Sequence, residues 1–141
     1  MVVLDTDHLS LLDRESKVVS LSLRERLNRL SDNSVMTTVI SYEEQVRGWM
    51  AVLAKARPID FQIEAYQRLN RILETFCSMQ VLKFDSKAAE IFTQLQKRKI
   101  RVGTMDMKIA SIVLANDLTL LSRNLVDFQK IPDLKVEDWT Q

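Results

Sequence analysis

The chain has 141 residues, of which 46% are hydrophobic and 28% charged, a composition typical of one globular domain with its own core. Its 20 lysines and arginines nearly cancel its 19 acidic residues, so the overall charge indicates neither a nucleic-acid partner nor a membrane partner. No segment approaches the roughly 18 apolar residues of a membrane span. The single cysteine, Cys77, excludes an internal disulfide and favours a reducing cytoplasm, and it is expected to be a small buried residue.

Short apolar segments alternate with longer segments of helical periodicity along the whole chain. The apolar segments are rich in β-branched residues and favour strands buried on both faces. The longer segments repeat apolar residues at helical spacing. In chain order, the predicted elements are a strand over 2–4, helix over 9–30, a strand over 34–40, helices over 41–55 and 59–79, a strand over 80–84, helices over 86–99 and 104–117, a strand over 118–122, a short helical turn over 125–131, and a fifth strand over 134–139 that is left open.

Local signals at the element ends refine this assignment. The first helical segment is read either as one helix or as two helices divided near Ser16. Ser41 and Glu44 have the spacing of a capping box at the start of the following helix. Asp85 is placed to cap the helix after the third strand, and Gly103 marks a break before the next one. Strands joined by helices predict right-handed crossovers and an α/β fold, with a parallel sheet covered by helices on both faces.

The amino terminus MVVLDTDHLS ends its apolar run at Asp5, with no basic region before it, which does not match a secretory signal. A carboxylate at the end of a buried strand is costly to desolvate. Either this strand end is open to water or a cation lies beside it. Asp7 is most simply the N-cap of the helix that follows.

Several carboxylates follow strands or begin helices on the same edge of the predicted sheet, where α/β proteins bind ligands. Taken singly, each is most often a helix cap or a surface residue, so the inference depends on the set. Crowded carboxylates repel one another unless a divalent cation neutralises them, and oxygen ligands suit Mg²⁺ or Mn²⁺. Zinc or a Ser-His-Asp hydrolase would have to rely on His8, the only histidine. The set comprises Asp5, Asp7, Glu43, Glu44, Asp106 and Asp127.

Four segments together resemble the PIN-domain ribonucleases, specifically the VapC-type toxins. They are LDTDHLS, ISYEEQVRG, GTMDMKIAS and LLSRNLVDFQKIPDLKVEDW. The resemblance covers essentially the whole chain, in the order and with the spacing of that family. It implies one PIN-like domain over 1–141, with a short parallel sheet of four or five strands flanked by helices on both faces.

The resemblance also implies which side chains form the active site. Glu44 matches the family's glutamate because it lies four residues before Gly48, which leaves Glu43 a bystander or an auxiliary group. Asp106 lies three residues after Gly103, and Asp127 lies in the family's Asn-x-x-Asp-Phe pattern. The implied Mg²⁺ or Mn²⁺ ligands are Asp5, Asp106 and Asp127, with Glu44 binding directly or through a water, and the implied supporting polar residues are Thr6, Ser122 and Asn124.

The segment QKRKIR precedes the implied metal-site Asp106 and carries Lys97, Arg98, Lys99 and Arg101. This cluster is read in two ways. It contacts RNA phosphates without reading sequence, or it is a solvated helix end whose cations complement the helix dipole.

The implied function is that of a cytoplasmic, Mg²⁺-dependent endoribonuclease toxin. The resemblance further implies a homodimer, with the helices around Trp49 and Tyr66 as its contact, and an antitoxin. We expect the antitoxin to insert an arginine or lysine into the acidic site. Two other readings stay open. One is a non-catalytic PIN-fold module that binds RNA or protein. The other is a phosphatase of the haloacid-dehalogenase type, which LDTD resembles, although that family's Gly-Asp pair with a further Asp near the chain end is absent.

Overall fold

The computed structural model describes residues 1–13, 18–55 and 57–141. The strands are β1 Val2–Leu4, β2 Val35–Thr38, β3 Gln80–Leu82, β4 Thr119–Leu121 and β5 Lys135–Glu137. The helices are α1 Thr6–Asp13, α2 Val18–Asn28, α3 Val39–Ala54, α4 Ile59–Cys77, α5 Ser86–Lys97, α6 Thr104–Ala115 and α7 Leu125–Phe128, and a 3-10 turn precedes β2 at Asp32–Ser34.

The strands form one five-stranded sheet in the order β3-β2-β1-β4-β5, and each neighbouring pair is parallel. The predicted α/β class is therefore confirmed, and the fifth strand that the sequence left open is present. Val3 of the central strand lies beside Met36 on one side and Leu120 on the other. This order results from the crossovers through the helices, which return each new strand parallel to its neighbour.

Alternate residues of β1 bury their side chains in two different cores. Val3 packs in a cluster with Ile40 and with the apolar face of α6, including Ile112. Val2 and Leu4 pack in a second cluster with residues of α1, α2 and α4. Because successive side chains of a strand point to opposite faces, helices cover both faces of the sheet. This placement explains why β1 is apolar at every position rather than at alternate ones.

The end of the second strand and the start of the helix after it differ from the prediction. The second strand ends at Thr38, earlier than predicted, because Thr38 is the N-cap of α3 and its side chain accepts a hydrogen bond from the Ser41 backbone at 3.2 Å. The prediction that Ser41 caps this helix was therefore wrong. The first predicted helix corresponds to α1 and α2, and the predicted division near Ser16 lies outside the described residues. The cap of α5 is Asp85, as predicted, at 3.0 Å from the Ala88 nitrogen.

Two further observations concern the surface of the protein. Cys77 is exposed at the end of α4, so the prediction that it is buried was wrong. That prediction rested on the usual burial of cysteine as a residue type, which does not tell which face of α4 the residue occupies. Across residues 1–13, 18–55 and 57–141, no helix is both long and apolar enough to cross a membrane.

Candidate active site

Hydrogen bonds beyond the strand ends align three neighbouring strands at one edge of the sheet. The Asp5 N–H donates to the Leu121 carbonyl at 3.1 Å, and the Ser122 N–H donates to the Glu137 carbonyl at 2.9 Å. The residues that directly follow β1, β4 and β5 therefore lie side by side. This is the carboxyl edge of a parallel sheet, where α/β proteins place their sites.

Asp5 has two roles at this edge. Its Oδ1 accepts a hydrogen bond from the His8 backbone N–H at 2.8 Å, so Asp5 caps α1. The helix begins at Thr6, three residues before its predicted start, and the prediction that Asp7 is the cap was wrong. Asp7 is exposed instead, and its carboxylate lies 3.9 Å from the Arg123 guanidinium. The Asp5 residue is only 7% exposed, so one of its oxygens is committed to the fold.

Glu44 reaches this edge from α3 and is held by α1. Its Oε1 lies 2.8 Å from Thr6 Oγ1, and Thr6 Oγ1 lies 3.1 Å from Ser41 Oγ. The carboxylate only accepts hydrogen bonds, so the Thr6 hydroxyl donates to it. Glu44 thus turns toward a neighbouring helix rather than back to its own N-terminus, which is why the capping-box prediction failed. Glu43 pairs with Arg47 on the outer side of α3.

A single amide joins the other two carboxylates. Asn124 Nδ2 lies 3.0 Å from Asp127 Oδ2 and 3.4 Å from Asp106 Oδ2. Ser122 Oγ, which is fully buried, accepts the Asn124 backbone N–H at 2.9 Å and so fixes the start of α7. Asp106 comes from the first turn of α6, behind Gly103. Asp106 of α6 and Asp127 of α7 therefore both lie beside the amide of Asn124.

The charges of the four predicted acids interact. Burial raises the pKa of Asp106, and the nearby charges of Glu44, Asp5 and Asp127 raise it further, although the Asn124 hydrogen bond opposes them. Hydrogen bonds from Asn124 and Lys130 lower the pKa of Asp127. Asp106 is thus a carboxylate whose pKa is raised by burial and by the negative charge of the other three acids. Asp127, at the exposed rim, already has hydrogen bonds from Asn124 and Lys130.

Asp5, Glu44 and Asp106 line one cavity of about 340 Å³, together with Thr6 and Asn124. Among the residues that the structure describes, no three acidic, histidine or cysteine side chains are grouped closely enough to hold one ion as they stand. Burial first, and the charges of Glu44, Asp5 and Asp127 next, raise the pKa of Asp106, so a cation at this cavity would relieve the repulsion. The donors are hard oxygens with excess negative charge, so the set fits Mg²⁺ or Mn²⁺ in chemistry.

The basic cluster is exposed and follows α5 toward this edge. The Arg101 carbonyl accepts a hydrogen bond from Lys130 Nζ at 3.3 Å, and the same Nζ lies 3.1 Å from Asp127 Oδ1. Arg101, at the end of the cluster nearer to α6, therefore lies next to the acidic site. The two readings of Lys97, Arg98 and Lys99 stay predictions.

Sequence reasoning missed several neighbours of the site. Lys130 was not singled out, although its spacing of three residues from Asp127 places both on one side of a helical turn. Arg123 beside Asp7 carried no signal in the sequence. His8 was weighed only as a zinc ligand or as the base of a hydrolase, and Asp138 was not considered at all. Only the order of the strands brings the last two together.

The acidic site carries a prediction for stability. In metal-free buffer at pH 7, Asp106→Asn should raise the melting temperature by a few degrees, because the pKa of Asp106 is higher in the folded chain than its ordinary 3.8. The folded state thus favours the protonated carboxyl, and this contribution is present below the unfolded pKa and lost as pH rises through the folded one. The gain should vanish near pH 3, measured by thermal denaturation.

The matched control is Asp133→Asn, which removes one charge from an exposed loop and should change the melting temperature little at either pH. Asp106→Asn melting at or below wild type at pH 7 would contradict the repulsion described above.

Comparisons with known proteins agree with this architecture. No family model matches the chain. The tRNA(fMet)-specific endonuclease VapC of Salmonella typhimurium is 29% identical over 122 residues, which is 83% of either protein. Ribonuclease VapC2 of Rickettsia felis is 32% identical over 72 residues, 48% of this chain and 54% of that protein. The chain thus spans about half the length of this second relative.

Among solved structures, a chain of VapBC-1 from nontypeable Haemophilus influenzae matches with a TM-score of 0.75 and 24% identity over 100% of both chains. The fold is PIN-like, as the resemblance in the sequence implied. The chain is similar in sequence to VapC ribonucleases, which confirms that resemblance.

Proposed function

We propose that the chain is a divalent-metal-dependent endoribonuclease, the toxin of a toxin–antitoxin pair. The observation that carries this proposal is the meeting of Asp5, Glu44, Asp106 and Asp127 at one strand edge, with their charges coupled at Asp106. The names of two relatives, a ribonuclease and a tRNA endonuclease, support RNA as the substrate.

In this proposal Asp5, Glu44, Asp106 and Asp127 would hold Mg²⁺ or Mn²⁺. A bound divalent ion would supply a hydroxide at neutral pH and would stabilise the charge that develops on the phosphate. The protein's part is to orient these carboxylates. Thr6 does so for Glu44, and Asn124 for Asp106 and Asp127, through the hydrogen bonds described above.

RNA is a polyanion, so an acidic cavity needs cations around it to receive the substrate. Lys130 and Arg123 lie at the rim, each beside an exposed carboxylate. Lys97, Arg98, Lys99 and Arg101 extend this positive border along the surface. We assign the cluster to phosphate contacts, which favour RNA in general and leave sequence choice to the cavity.

The partners follow from the same proposal. Several structural neighbours are VapBC complexes, and one is described as a toxin-antitoxin complex from Klebsiella pneumoniae. We assign this chain an antitoxin that inserts a basic residue into the acidic cavity, and a cytoplasmic setting. We also assign a homodimer through α3 and α4. Phe61, Ile63 and Tyr66 on α4 are each more than half exposed, which supplies apolar area for such a contact.

The experiment that tests the function is cleavage of total tRNA and of longer RNA by the purified chain. Cleavage should require Mg²⁺ or Mn²⁺, stop with a chelator and return when the metal is restored. Sequencing the new RNA ends would then identify the site that is cut. Rates should also fall steeply as salt increases, because phosphate contacts release counterions.

Two experimental outcomes would support a function other than the proposed ribonuclease. RNA that is bound but not cut in either metal would support the non-catalytic module. An aspartyl-phosphate on Asp5 after incubation with a phosphate monoester would support the phosphatase.

A further inference from the structure

His8 is a buried polar side chain beside the site that the proposed function does not use. The residue is 0% exposed. Within the described part of the chain, neither of its ring nitrogens has a hydrogen-bond partner of acceptable geometry. Native structures rarely leave buried polar atoms unpaired. The surroundings of the ring therefore need an explanation.

Both nitrogens face carboxylates. Nδ1 lies 3.4 Å from Asp5 Oδ1, and Nε2 lies 3.8 Å from Asp138 Oδ1. The side chains of Asp5 and Asp138 are each 10% exposed. A row of carboxylate, imidazole and carboxylate thus runs from the cavity to the segment after β5. Both carboxylates only accept hydrogen bonds, so the ring serves both with an N–H on each nitrogen.

The Asp138 carboxylate is held in place by the residues that follow it. Asp138 Oδ1 accepts the Thr140 backbone N–H at 2.9 Å and the Thr140 hydroxyl at 2.5 Å. The segment around it is tied to α2, because Arg26 lies 4.5 Å above the Trp139 ring. Ser22 Oγ also donates to the Trp139 carbonyl at 3.4 Å. Asp138 is therefore held by its own segment, with Oδ1 facing the imidazole.

The Asp5 carboxylate is held through one of its two oxygens. Both contacts of Asp5, with the His8 N–H and with the His8 ring, use Oδ1. No described residue donates to Oδ2. Fixing Oδ1 against α1 leaves Oδ2 as the oxygen available to the cavity that Asp5 lines.

We infer that His8 and Asp138 are positioning residues for Asp5: Asp138 orients the imidazole, and the imidazole holds the Asp5 carboxylate toward the cavity. The inference rests on the proposed function in that Asp5 is taken as a metal ligand. Outer partners that orient a metal ligand typically change metal affinity or activity by about 10–100-fold when they are removed.

The test measures Mn²⁺ affinity by calorimetry without RNA, and separately kcat and KM for RNA cleavage. His8→Phe keeps a ring but removes both nitrogens, and Asp138→Ala removes the acceptor. Each should weaken Mn²⁺ binding about tenfold and lower kcat similarly, with KM for RNA unchanged. The double variant should be no weaker than His8→Phe alone, because Asp138 acts through His8.

Two conservative variants separate positioning from mere structural support. Asp138→Asn keeps an acceptor oxygen, and His8→Asn keeps a donor near the place of Nδ1, so both should recover most of the Mn²⁺ affinity. The matched control is Glu137→Gln, which changes the exposed acid next to Asp138 and should bind Mn²⁺ as wild type does. If His8→Phe fails to fold, the pair Asp138→Ala and Asp138→Asn decides.

The inference is overturned if Asp138→Ala and His8→Phe bind Mn²⁺ like wild type, or if their effects add. A wild-type chain that binds Mn²⁺ but cuts no RNA overturns the ribonuclease proposal alone, and the Mn²⁺ titrations still decide on His8. A wild-type chain that binds no Mn²⁺ overturns both.

Discussion

Replacing Asp5 with asparagine is expected to lower RNA cleavage in Mg²⁺ by about a thousandfold while the chain stays folded. The amide has the shape of the carboxylate but lacks the charge that holds the cation. A loss of about 4 kcal/mol of transition-state stabilisation corresponds to that factor. The fold should survive because asparagine caps helices about as well as aspartate, and its Oδ1 can still accept the His8 N–H that Asp5 accepts at 2.8 Å.

Single-turnover cleavage rates at saturating RNA measure the effect, and circular dichroism with thermal denaturation reports the fold. Asp85→Asn is the matched control, because Asp85 caps α5 with a similar hydrogen bond of 3.0 Å but follows the edge strand β3 and is not among the residues that line the acidic cavity. It should cleave at the wild-type rate. Asp5→Asn cleaving at the wild-type rate in Mg²⁺ would show that the proposed mechanism is wrong.

The second large effect concerns inhibition by the antitoxin. Among the described residues, the cations at the rim pair with Asp7 and Asp127, whereas Glu44 and Asp106 inside the cavity have no lysine or arginine partner. An inserted arginine or lysine would find charge-assisted, bidentate partners there and would exclude the metal. Inhibitor and Mg²⁺ should therefore compete for the same carboxylates.

We expect the inhibition constant of the proposed antitoxin to rise about tenfold from low to saturating Mg²⁺. Replacing its inserted basic residue with alanine should weaken inhibition by about a hundredfold, since truncating one partner of a buried charge pair costs about 2–5 kcal/mol. Cleavage rates across a grid of inhibitor and Mg²⁺ concentrations provide the measurement. Equal inhibition at both Mg²⁺ levels, by an antitoxin lacking its basic residues, would exclude an inserted cation.

The sequence by itself determined the elements whose signals are local. Val2–Leu4 is apolar at every position, and this predicted a strand buried on both faces. Asp85 directly precedes a helical repeat, and this predicted its cap. The four acids were predicted from their places after strands and at helix starts, and from a family resemblance that rests on short patterns such as the three-residue step from Gly103 to Asp106. In each case, the residues that carry the signal are neighbours in the chain.

Only the tertiary structure decided which partner each polar side chain takes. Ser41 and Glu44 have the local pattern of a capping box, but Thr38 takes the cap, and Thr6 of another helix holds Glu44. His8 lies next to Asp138 because the crossovers set β4 beside β1 and β5 beside β4. A hydrogen bond depends on distance in space, and periodicity along the chain reports only which face a residue occupies. The strand order brings segments from the two ends of the chain together, and no local pattern encodes that order.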